Sequence, residues 1–111
     1  MHEYGLAVGV VTAVTQQLPG RRITAVCVHV GARSGVEPFA LKNCWPLATE
    51  NTPVEGAELI IEQIPATVFC PDCGEEKTID EFFDYSCPDC GDIIVEITKG
   101  QEFSIAYCDV D

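Results

Sequence analysis

The sequence predicts an α+β fold: a small mixed three-stranded sheet carrying two helices, with a four-cysteine zinc-ribbon module inserted before the last strand. Three observations predict it. Apolar residues recur at helical spacing near the N-terminus, later runs alternate at strand spacing, and the pentapeptide Cys-Pro-Asp-Cys-Gly occurs twice, at 70–74 and 87–91. A chain of 111 residues, 47% of them hydrophobic and 22% charged, has room for one core and one small stapled module.

Residues 3–18 carry Leu6, Ala7, Val10, Val11, Val14 and Leu18 on one helical stripe, although Gly5, Gly9 and several β-branched residues make the local propensity poor. Pro19-Gly20 stops that element. Ile23 to Val30 reads as a strand, with Val26, Val28 and Val30 on one face and Cys27 and His29 on the other. After a loop at 31–35, Pro38 sits where a first helical residue would, followed by Phe39, Leu41, Cys44, Trp45 and Leu47. Pro46 should end or kink this helix early. Glu58 to Ile64 is a second strand with Leu59 and Ile61 on one side. Glu102 to Val110 is a third, with Phe103, Ile105 and Tyr107 in phase. The expected division is a 1–66 domain completed by a C-terminal strand at 101–111, with a metal module at 67–100 between them.

Two Cys-x-x-Cys pairs, Cys70/Cys73 and Cys87/Cys90, fit a closed tetrahedral site of the structural zinc type. The glycine after each pair supplies the positive φ that a knuckle needs. The same four thiolates also suit a single iron, as in a rubredoxin-like electron carrier, or a zinc ribbon that only docks a protein partner. Cys27, Cys44 and Cys108 sit among apolar residues and are expected as packed, reduced thiols. This cysteine usage fits a reducing cytosol rather than a disulfide framework, so the expected location is cytoplasmic. Tyr4, Phe82, Phe83 and Tyr85 are expected to pack the base of the metal module. No apolar run approaches the roughly 20 residues of a membrane span.

The formal charge is −12. Between residues 66 and 99, nine acids against two lysines leave −7. Nucleic-acid binding needs a basic face to displace counterions from phosphates, so this module is unsuited to DNA or RNA. The chain has no Ser-His-Asp order, P-loop or dinucleotide fingerprint, and no enzymatic activity is expected.

His2 offers a second metal chemistry. As the second residue, its imidazole Nδ1, its backbone nitrogen and the Met1 amine can close five- and six-membered chelate rings on one ion. An all-nitrogen set with a metal-deprotonated amide favours square-planar Ni(II) or Cu(II). His29, on a strand face, is expected to be structural or partly exposed.

Several strings occur together in order. They are Met1-His2-Glu3, Val28-x-Val30-Gly31-x-x-Ser34-Gly35-Val36-Glu37-Pro38, Thr52-Pro53-Val54-Glu55-Gly56-Ala57-Glu58-Leu59, the two knuckles, and Gly100-x-Glu102-Phe103-x-Ile105. Over essentially the whole chain this set resembles the hydrogenase nickel-incorporation accessory family (HypA/HybF). The resemblance implies a nickel metallochaperone that works with a partner GTPase. Its nickel goes to the large-subunit precursor of [NiFe]-hydrogenase, and some members also serve urease. His2 matches the family's nickel ligand, Glu3 the acid of its motif, contributing at least its amide nitrogen, and Cys70, Cys73, Cys87 and Cys90 its zinc ligands. Glu37 falls where some members place an acid near the nickel, as a fourth ligand or a supporting group. A homodimer is an allowed working form. Some relatives carry a histidine in the zinc module, and this chain has none there.

Overall fold

The computed structural model describes residues 2–79, 87–91 and 96–111. The elements are α1 (Glu3–Gln17), β1 (Ile23–Gly31), α2 (Pro38–Thr49), β2 (Glu58–Ile64), β3 (Thr67–Cys70), β4 (Glu75–Thr78), β5 (Glu96–Lys99) and β6 (Phe103–Val110). They form two three-stranded sheets, ordered β2-β1-β6 and β4-β3-β5. Among the described residues, no helix is long and apolar enough to cross a membrane.

β1 takes the centre of the first sheet because it is apolar on both faces: Ile23, Ala25, Val26, Cys27, Val28 and Val30 are all buried. It pairs parallel with β2, Val26 beside Leu59 and His29 beside Glu62, with α2 in the crossover between them that a parallel pair requires. β6 returns antiparallel on the other side. Val26, Val28, Val30 and Leu59 pack against Ala7, Val10, Val11 and Val14 of α1 and Leu41, Trp45 and Ala48 of α2. This burial overrides the weak propensity of α1, since most helical stability in proteins comes from packing an apolar face. The Trp45 Nε1–H donates to the Ala57 carbonyl at 3.0 Å, satisfying the indole where it is buried.

Three expectations need correction. Pro46 does not end α2, which continues to Thr49. Trp45 and Ala48 are anchored in the core around it, and the Thr49 hydroxyl donates to the Pro46 carbonyl at 3.2 Å. Lys42, whose carbonyl loses its helical partner to the proline, is on the exposed side where water can serve it. Secondly, β6 does not keep one phase. Cys27 pairs with Tyr107 but Val28 with Ile105, so Ala106 is the extra residue of a β-bulge. Phe103, Cys108 and Val110 therefore pack on the core, while Tyr107 sits beside Cys27 on the opposite face. Thirdly, Tyr4 lies on α1 and is 49% exposed rather than packed beneath the metal module. Phe82, Phe83 and Tyr85 lie outside the described residues.

The two sheets meet at a joint made of backbone. The Gly31 N–H donates to the Glu102 carbonyl at 2.7 Å, Arg33 N–H to Gly100 at 2.6 Å, and Ala32 N–H to Ile64 at 2.9 Å. A Cβ on Gly31 would fall on the carbonyl group of Gly100. Gly100 has φ +108° and already lies against Ala66, where a Cβ would come within 2.6 Å of the alanine Cα. Beyond the joint, among the described residues, Ala66, Val68 and Ile79 form a second core cluster with Ile97 packed against it.

Close backbone approach makes Gly31 irreplaceable, whereas a Cβ on Gly9 of α1 meets nothing within 4 Å. Gly31→Ala should lower stability by about 1–3 kcal/mol through overpacking, and Gly9→Ala should raise it by up to about 1 kcal/mol through helix propensity. Urea unfolding followed by Trp45 fluorescence distinguishes them, and effects of the same sign would contradict this assignment.

Candidate metal centres

Each cysteine pair is built by the same turn. β3 delivers Cys70, the chain reverses, and the Gly74 N–H donates to the Cys70 carbonyl at 2.8 Å. In the second knuckle the Gly91 N–H donates to the Cys87 carbonyl at 2.9 Å. Gly74 and Gly91 stand at φ +71° and +76°, the left-handed backbone expected from the repeated pentapeptide. The four sulfurs lie within 4.8 Å of one another, with Cys70 Sγ 3.5 Å from Cys90 Sγ and Cys73 Sγ 3.8 Å from Cys87 Sγ. A tetrahedral ion with metal–sulfur bonds of about 2.3 Å sets its sulfurs about 3.8 Å apart, so the donor set fits zinc.

The protonation chemistry of these thiols calls for a cation. Neighbouring thiols Cys70, Cys90 and Cys87 push Cys73 up to about 12. The backbone N–H of Cys90, aided by that of Asp89, pulls Cys87 down to about 7. Four sulfurs this close cannot all ionise together unless a positive ion offsets their repulsion.

One further group reaches both knuckles. Lys77 of β4 pairs with Glu75, which follows the first knuckle, and with Asp89 inside the second. Those two contacts raise the lysine pKa. The sequence reading missed this residue, and the available signal was a lysine between the two knuckles, one of two cations among the nine acids of the module.

The N-terminal segment is organised by α2. His2 occupies the cap position of α1; its side chain is exposed and makes no capping bond, while its carbonyl accepts from the Leu6 N–H at 3.1 Å. Glu3 reaches 34 residues along the chain, its Oε2 accepting the Glu37 N–H at 3.1 Å. That bond holds the Glu3 carboxyl below its ordinary range. The Glu37 carboxylate in turn caps α2, accepting the Ala40 N–H at 2.6 Å. Two acids thus gather at the N-terminus of α2, where the helix dipole favours negative charge. Met1 lies outside the described residues.

The remaining candidates have structural partners. His29 Nε2 is 3.0 Å from Glu62 Oε2 across the β1–β2 pair. Cys27 is buried, and Cys44 and Cys108 pack against the main core. Among the described residues, the four knuckle cysteines are the group whose ligand atoms converge.

Because thiolate ligands must shed protons to bind, metal affinity should fall as pH falls. Zinc-loaded protein titrated with acid should release its metal cooperatively, read with a colorimetric zinc indicator. Retention of the ion after the thiolates are protonated would contradict a four-sulfur site.

A family model described as hydrogenase/urease nickel incorporation, metallochaperone, hypA matches residues 1–110. The hydrogenase maturation factor HypA of Geotalea uraniireducens is 37% identical over 111 residues, spanning all of both chains. That of Chlorobaculum parvum is 40% identical over 108 residues, covering 95% of each. The solution structure of the Ni metallochaperone HypA from Helicobacter pylori shares the fold at TM-score 0.65 and 21% identity, covering 99% of this chain and 97% of that one. A further solution structure of a HypA protein gives TM-score 0.67 at 21% identity, over 99% and 96% of the two chains. From the whole-chain family match and these relatives, the chain belongs to the HypA family of nickel-incorporation metallochaperones.

Proposed function

We propose that this chain carries one Ni(II) on its N-terminal segment and passes it, with a partner GTPase, to the large-subunit precursor of [NiFe]-hydrogenase. The nickel-binding domain comprises 1–66 completed by 101–111, and 67–100 is the zinc-binding domain. The Met1 amine, the backbone nitrogens of His2 and Glu3 and the His2 imidazole supply the nickel donors. Zinc, held by Cys70, Cys73, Cys87 and Cys90, is structural, and GTP hydrolysis belongs to the partner.

The observation that carries this reading is the contact between Glu3 and Glu37 beside an exposed His2. It fixes the start of α1 while leaving the imidazole accessible. His2 and Glu3 stand at the very start of α1, ahead of its i→i−4 ladder, so a metal that displaces a proton from either amide leaves that ladder whole. An accessible planar site with open axial positions permits ligand exchange with a recipient, which a closed cage would resist. In this role Glu37 supports the site through its amide and its cap.

A nickel titration of zinc-loaded, tag-free protein beside His2→Ala tests the proposal. The native chain should take up about one nickel and the variant should lose it; equal binding by both would overturn the N-terminal site. Glu37→Ser keeps a capping oxygen but removes the carboxylate. It should retain nickel uptake, whereas loss would make Glu37 a direct ligand.

A further inference from the structure

We propose that Lys77 is a positioning residue for the four-sulfur centre, clamping the second knuckle against the first. The inference rests on the reading of that centre as a metal site. Thirteen residues separate Cys73 from Cys87, and the contacts Cys70–Cys90 and Cys73–Cys87 join the knuckles through sulfur. The Lys77–Asp89 pair joins them by a route that does not pass through sulfur.

The placement on β4 explains how one lysine reaches both. β4 runs antiparallel to β3, setting Glu75 opposite Cys70 and Lys77 opposite Val68. The Lys77 stem thus lies over the small core, since Val68 is one of its buried members. The side chain is 17% exposed, against 63% for Glu75 and 62% for Asp89. A lysine that covers its methylenes and leaves only its head for two carboxylates is held more firmly than an ordinary surface pair. Asp89 also lies between Cys87 and Cys90, so fixing its carboxylate fixes the turn that presents both sulfurs.

Charge gives a second reason. Four thiolates around a divalent ion carry −2, and Glu75, Glu76 and Asp89 stand nearby in the same turns and strand. The Lys77 ammonium offsets repulsion among groups that the fold forces together. Removing it should loosen the second knuckle and open a path for metal to leave. Groups that orient metal ligands from outside the coordination sphere typically change affinity by about 10–100-fold when removed.

The test measures chelator-driven zinc release and the cobalt-substituted spectrum in full-length protein. The variants are Lys77→Met, Lys77→Arg, Asp89→Asn and the Met/Asn double variant. Lys77→Met, which keeps the apolar stem, should release zinc about 10-fold faster and shift the sulfur-to-cobalt charge-transfer bands. Lys77→Arg should restore both readouts. Asp89→Asn should match Lys77→Met, and the double variant should be no worse than either single one. Release by Lys77→Met at the native rate, an equally poor arginine variant, or fully additive effects would each overturn the clamp alone. A native chain that gives no tetrahedral sulfur–cobalt spectrum would instead overturn the metal-centre reading and the clamp with it.

Discussion

Four sulfur atoms within 4.8 Å of one another form the constraint around which the second sheet is built. Crowding splits the protonation of these thiols: its neighbours drive Cys73 up to about 12, while backbone N–H groups pull Cys87 down to about 7. A divalent ion turns the repulsion among thiolates into attraction. Among the described residues the second sheet buries Ala66, Val68 and Ile79 with Ile97 packed against them, and in the proposed reading the ion adds a cross-link to that core. Zinc at structural sites of this kind contributes folding free energy outright.

The first sheet makes no such demand. Its core joins both helices to β1 and β2, with Trp45 satisfied against Ala57 and three valines of β1 buried. The second sheet hangs from it through Gly31, Gly100 and Ala66, where backbone meets backbone without space for a side chain. This contrast in packing suits the proposed division of labour. A closed ion holds one sheet together, while cargo is taken up at the accessible start of α1, whose position is set by Glu3 on Glu37.

Features written in local sequence were legible before the fold was known. The repeated pentapeptide gave both knuckles, down to the positive φ of Gly74 and Gly91. Alternation gave β1 and β2, and the stripe through Ala7, Val10, Val11 and Val14 gave α1 despite its glycines. What escaped was set by tertiary contact. A bulge at Ala106 turns Tyr107 away from the phase of Ile105, and no residue type there marks it. Pro46 is tolerated because the core grips α2 on both sides of it. Nor does anything local announce that Glu37 caps α2 while its amide meets Glu3, or that Lys77 reaches both knuckles.

Segment-resolved amide hydrogen exchange, on zinc-loaded protein and after chelation, tests the dependence on the four-sulfur centre most directly. Protection in β3, β4 and β5 should collapse when zinc is removed, while β1 and β2 keep theirs. Unchanged protection in the second sheet would contradict the claim that the ion holds it, and simultaneous loss in both sheets would contradict the independence of the first core.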